Sequence, residues 1–113
     1  MFDEVISYYL NITSKTKLAD VQLKHVIEKI QSDPDIERTI KQIRSQTDKQ
    51  LRNQLKRRLP AVAVSGTFKD RRSLEHYSGL VQVDFDNLEN PAQTKEKLKA
   101  DPYTYVAFIS PNI

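Results

Sequence analysis

The stretch Leu80-Val-Gln-Val-Asp-Phe-Asp-Asn-Leu-Glu-Asn-Pro91 decides how this chain is read. Its first seven residues alternate, with Val81, Val83 and Phe85 on one side and Gln82, Asp84 and Asp86 on the other, which is the period-2 pattern of a strand. Residues two apart in a strand point the same way, about 6.8 Å apart along the backbone. The pattern therefore predicts a strand with an apolar face turned to a core and two carboxylates turned away from it. Asn90 and Pro91 then predict a helix start, cap first and proline at the first helical position, with Pro102 as its stop.

Working outward, Tyr103–Ile109 reads as a last strand, and Ala61–Val64 as a short central one that pairs antiparallel with Leu80–Asp86. Residues 2–12 alternate, with Phe2, Ile6, Tyr8, Leu10 and Ile12 sharing a face. Leu18, Val21, Val26, Ile27 and Ile30 recur at helical spacing with Asp20 as an N-cap. Asp33 and Pro34 begin a second helical piece whose stripe is Ile36, Ile40, Ile43, Leu51 and Leu55, with a kink near Gln46–Thr47. Ser65–Ser78 reads as a long connection. The order β-α-β-β-α-β predicts an α+β fold of ferredoxin-like or RRM-like type: a four-stranded antiparallel sheet with helices on one face.

The 113 residues suit a single domain, 1–113. A 38% apolar and 29% charged composition is that of a globular chain. The absence of cysteine excludes disulfides and thiolate zinc sites. No apolar run approaches the roughly 20 residues of a membrane helix, and the N-terminus lacks the basic region of a secretory signal. The expectation is a cytoplasmic protein that does not enter a membrane.

Asp84 and Asp86 carry two readings. Paired carboxylates on a sheet face suit a hard cation, Mg²⁺ or Mn²⁺; the same residues also make a wet strand end leading into an Asx-rich turn. The net charge is only +3, but residues 37–58 hold eight cations against two acids. Lys56, Arg57 and Arg58 close that segment, and Lys69, Arg71 and Arg72 follow in the connection. Both clusters are candidates for phosphate contacts with DNA or RNA, or for solvated surface. Carboxylates where an RNA-binding module places aromatics argue against a plain RRM.

The run His76–Leu88, His-Tyr-Ser-Gly-Leu-Val-Gln-Val-Asp-Phe-Asp-Asn-Leu, with the later Asp101–Pro111 and the upstream Leu59–Phe68, resembles the VirE N-terminal domain family, grouped with primase-polymerases of mobile elements. The resemblance implies a partial primase-like core, with Asp84 and Asp86 as catalytic metal ligands for nucleotidyl transfer and nucleic acid and nucleotides as partners. It also implies a helicase-like region or partner protein nearby. The later primase motifs are missing before Ile113, so the resemblance implies an N-terminal portion, inactive by itself. The alternatives are a non-catalytic nucleic-acid-binding module and a small partner-binding domain.

Overall fold

The computed structural model describes residues 2–109. Strand β1 (Val5–Tyr9) lies at its centre, flanked antiparallel by β2 (Ala19–Gln22) and β3 (Ala61–Ala63), in the order β2-β1-β3. The registers set Tyr8 against Ala19 on one side and against Val62 on the other. Strands β4 (Gly66–Asp70) and β5 (Ser73–Tyr77) form a separate antiparallel hairpin. Helices α1 (Leu23–Ser32), α2 (Pro34–Ser45) and α3 (Lys49–Lys56) run between β2 and β3, and α4 (Pro91–Lys99) follows the hairpin.

The helix starts follow capping chemistry. Asp33 accepts from the Asp35 and Ile36 amides at 2.9 and 3.2 Å, with Pro34 at the first position. Asp48 accepts from Gln50 and Leu51 at 2.9 and 3.1 Å, and Asn90 from Gln93 at 3.0 Å. The expected kink is a full break between α2 and α3. There the Arg52 guanidinium donates to the Gln46 carbonyl through Nε and Nη2 at 3.1 and 2.7 Å.

The centre is small. Ile6, Tyr9, Leu23 and Ile43 are its buried apolar residues among those described. Ile6 and Ser7 are both fully buried, so β1 is covered on both faces. Lys29 lies over the Tyr8 ring at 5.7 Å, which sets α1 on the face bearing Ile6 and Tyr8. The hairpin sits against the other face. The Phe68 amide donates to Ser7 Oγ at 2.9 Å, and Ser7 Oγ donates to Asp20 Oδ1 at 2.8 Å, so one hydroxyl joins three strands.

Several expectations give way. The architecture is α+β, but the sheets have three and two strands, and the four-stranded ferredoxin-like sheet is not formed among the described residues. Asp20 is not a helix cap: residues 19–22 are a strand, and α1 begins at Leu23 without a side-chain cap. The connection 65–78 is the β4–β5 hairpin. Residues 80–86 and 103–109 form no strand among the described residues, with Tyr103 in a turn, and Ala61–Ala63 pairs with β1 rather than with Leu80–Asp86. The exposure agrees: Val81, Val83 and Phe85 are 79%, 66% and 47% accessible. The radius of gyration, 14.9 Å, exceeds the roughly 13 Å of a compact chain of this length.

Candidate nucleic-acid interface

The cations of residues 38–58 divide into two groups. Arg38 pairs with Asp35 at 3.3 Å and Lys41 with Glu37 at 3.3 Å along α2, while Arg52 is engaged with the Gln46 carbonyl. Arg44, Lys49, Lys56, Arg57 and Arg58 have no side-chain partner among the described residues. Three of these five are consecutive. They stand on the turn that ends α3, where the Arg57 amide donates to the Asn53 carbonyl, Arg58 to Leu55 and Leu59 to Lys56. Arg57 and Arg58 are exposed and Lys56 half-buried. A cation near a helix C-terminus gains about 0.3–1 kcal/mol from the helix dipole. That gain accounts for one cation and is eroded by the mutual repulsion of three.

The hairpin cations behave differently from one another. The Arg71 guanidinium lies 4.3 Å over the Tyr9 ring and donates to the Ser14 and Asn11 carbonyls. It clamps the 10–18 connection to the sheet and lines a shallow cavity of about 150 Å³ with Tyr9, Ile12, Ala61 and Phe68. Lys69 and Arg72 extend from the hairpin end without side-chain partners among the described residues. The turn between them is held by Asp70, whose Oδ1 accepts from the Arg72 amide at 2.8 Å. That bond is the leading reason its carboxyl lies below the usual carboxylate range.

Asp84 and Asp86 lie in the irregular segment before α4, both exposed. Asp84 Oδ1 accepts from Gln82 Nε2 at 3.4 Å. Neither acid caps the turn that follows. Asn87 stands at φ 57°, a conformation asparagine tolerates better than most residues, and Asn90 caps α4. Two carboxylates supply the hard oxygen donors that Mg²⁺ or Mn²⁺ prefers. No group of three or more acidic or histidine side chains suited to a metal occurs among the described residues.

Sequence reasoning missed Lys17, which bridges Asp20 at 2.9 Å and Glu75 at 3.1 Å. Through Lys17 the Asp20 carboxylate of β2 is joined to Glu75 of β5, which lies 58 residues from Lys17 in the chain. It also missed the hub role of Ser7. Their contacts to Glu75 and Phe68 have no local sequence signal, because those partners are distant in the chain.

These features define a small α+β domain with a cationic helix end and, among the described residues, no helix long and apolar enough to cross a membrane. The family described as BT4734-like, N-terminal domain matches residues 54–112. That is more than half of the chain, and the chain belongs to this family. The match covers the region whose motifs resemble the VirE N-terminal domain family, and it replaces that assignment. No curated protein matches the chain, and no solved structure does.

Proposed function

We propose that this chain is a nucleic-acid-binding segment that holds a phosphate backbone through the cationic turn Lys56–Arg58, assisted by Lys49, Lys69 and Arg72. One observation carries the reading. The chain pairs off Arg38 and Lys41 along α2 but leaves three consecutive cations at a surface turn without a side-chain partner among the described residues. No aromatic residue lies between Lys49 and Arg58, so the contact is to phosphates and carries no base sequence information. Binding of labelled single-stranded and duplex oligonucleotides, followed by fluorescence anisotropy at low salt, tests it. Lys56→Ala with Arg57→Ala and Arg58→Ala should abolish most of the affinity. Arg38→Ala with Lys41→Ala, at already paired cations, should change it much less. Failure of the unmodified chain to bind either oligonucleotide overturns the reading.

A second reading is metal-assisted nucleotidyl transfer by a longer replication protein of a mobile element, with Asp84 and Asp86 as its first ligands. It is favoured by the acids' lack of a capping role in the adjacent turn. The bound ion would supply charge neutralisation at phosphate oxygens; in this chain the two carboxylates would hold it, with further ligands from outside the described residues. Mn²⁺ broadening of the amide signals of residues 84–87, lost in Asp84→Asn with Asp86→Asn, is the expected result. Undisturbed signals in the unmodified chain count against it.

A further inference from the structure

The hairpin sets Gly66 against Tyr77 and Thr67 against His76, and the pairing does not stop at the strand ends. The Ser78 amide donates to the Ser65 carbonyl at 2.8 Å, and Ser78 Oγ donates to the Val64 carbonyl at 2.6 Å. Ser78 is therefore held at the Val64–Ser65 turn that follows β3, two residues before Leu80. Carrying the same pairing through that turn would set Ala63 against Leu80, Val62 against Val81 and Ala61 against Gln82.

The edge of β3 away from β1 pairs with no strand among the described residues, since β3 is the outer strand of its sheet. An open edge presents unpaired N–H and C=O groups ready for another strand. Parity agrees with the register. Val62 lies opposite Tyr8, so Val81, Val83 and Phe85 would join the face that carries Tyr8 and the fully buried Ile6. Gln82 would join the other face, beside Ala61.

The ladder has a built-in stop. Pro60 offers no N–H, so residues beyond Gln82 run past the strand and toward Leu59, Arg58, Arg57 and Lys56. Those residues are Asp84 and Asp86, two acids without a cationic partner, meeting three cations without an acidic one among the described residues. The pivot is Gly79, at φ 81°, where an added Cβ would meet nothing within 4 Å. Glycine passes between this conformation and an extended one at little steric cost.

We propose that Leu80–Asp86 is a strap, hinged at Gly79, that closes onto the open edge of β3 and brings Asp84 and Asp86 against Lys56, Arg57 and Arg58. Closing buries the apolar residues of the strap and covers the cationic turn, so the closed form does not bind a phosphate backbone. The masking, though not the strand pairing, rests on the nucleic-acid reading above.

The chain has no cysteine, so an introduced pair reports without interference. Val62→Cys with Val81→Cys should form an intrachain disulfide under mild oxidation, because paired strand residues lie within disulfide reach. Val62→Cys with Gln82→Cys, out of register and on opposite faces, should form it far more slowly. Oxidation of the first pair should weaken affinity for a single-stranded oligonucleotide by about tenfold or more, since the binding-competent fraction is removed, and a reductant should restore it. Equal rates for both pairs, cross-links only between chains, or no cross-link at all each overturn the strap. A cross-linked chain of unchanged affinity overturns the masking. Absence of binding by both reduced and oxidised forms removes the nucleic-acid reading and the masking with it, while the cross-link still decides the strap.

Discussion

Ser7→Ala should cost this fold about 2 kcal/mol, far more than a serine on a strand ordinarily contributes. Ser7 is fully buried. Its oxygen accepts the Phe68 amide at 2.9 Å and its proton goes to Asp20 at 2.8 Å. Alanine leaves the Phe68 N–H without an acceptor, a penalty of about 1–3 kcal/mol for a buried donor. The loss on the Asp20 side is smaller, because that carboxylate keeps Lys17 at 2.9 Å and is partly solvated. In a domain whose total stability is of order 5–15 kcal/mol, about 2 kcal/mol lowers Tm by roughly 6–10 °C. Urea unfolding followed by circular dichroism measures it, with an unchanged m-value as the sign that only stability moved.

The pH dependence separates the two parts. Asp20 is held below the usual carboxylate range, first by the Lys17 hydrogen bond and then by the Ser7 hydroxyl. A lowered native pKa gives stability that is present above the unfolded value and lost as pH falls through the native one. The gap between Ser7→Ala and the unmodified chain should therefore narrow in acid without closing, since the Phe68 share does not titrate. A loss under about 0.5 kcal/mol, the range of an ordinary surface change, would refute the hub role of Ser7.

Three further outcomes follow from the same structure. Thr67→Val should leave stability unchanged or raise it by about 1 kcal/mol in thermal unfolding, because Thr67 Oγ1 is buried without a hydrogen-bond partner among the described residues and valine keeps the shape without the unmet group. Gly66→Ala should cost several kcal/mol, enough to reduce the folded fraction visibly, because φ is 151° and the new Cβ would stand 1.9 Å from the His76 carbonyl oxygen. Arg71→Ala should lower Tm and increase amide exchange across residues 11–14, since the guanidinium that holds the Asn11 and Ser14 carbonyls over Tyr9 is removed.

What was legible in the sequence was local chemistry. Asp33-Pro34 and Asn90-Pro91 mark helix starts because cap and proline satisfy the first turn by themselves, whereas the cap at Asp48, with no proline after it, is legible only as a kink near Gln46–Thr47. The stretch 18–22 misled because Leu18 and Val21 fit a helical stripe, while the decisive partner of that stretch, β1, lies elsewhere in the chain. The β4–β5 hairpin was hidden because Lys69, Asp70, Arg71, Arg72, Ser73, Glu75 and His76 give it little apolar alternation; Asp70 bonding back to Arg72 is the turn signal that could have revealed it. Val81, Val83 and Phe85 alternate as a strand should, yet β-propensity reflects fit to a neighbouring strand and a covered face, and in this arrangement the segment has neither. Of the candidate site, the cations were visible as a list. Which of them were free was not, because Arg52 and Arg71 are engaged by backbone carbonyls at a distance.

The most direct test of nucleic-acid binding is the salt dependence of single-stranded oligonucleotide affinity for the unmodified chain and for Lys56→Ala/Arg57→Ala/Arg58→Ala. Each neutralised phosphate on a single strand contributes about 0.7 to the slope of log K against log salt. Loss of three contacts should therefore flatten the slope by about 2. Equal slopes for the two proteins would contradict the account, as would a chain that binds no oligonucleotide at low salt.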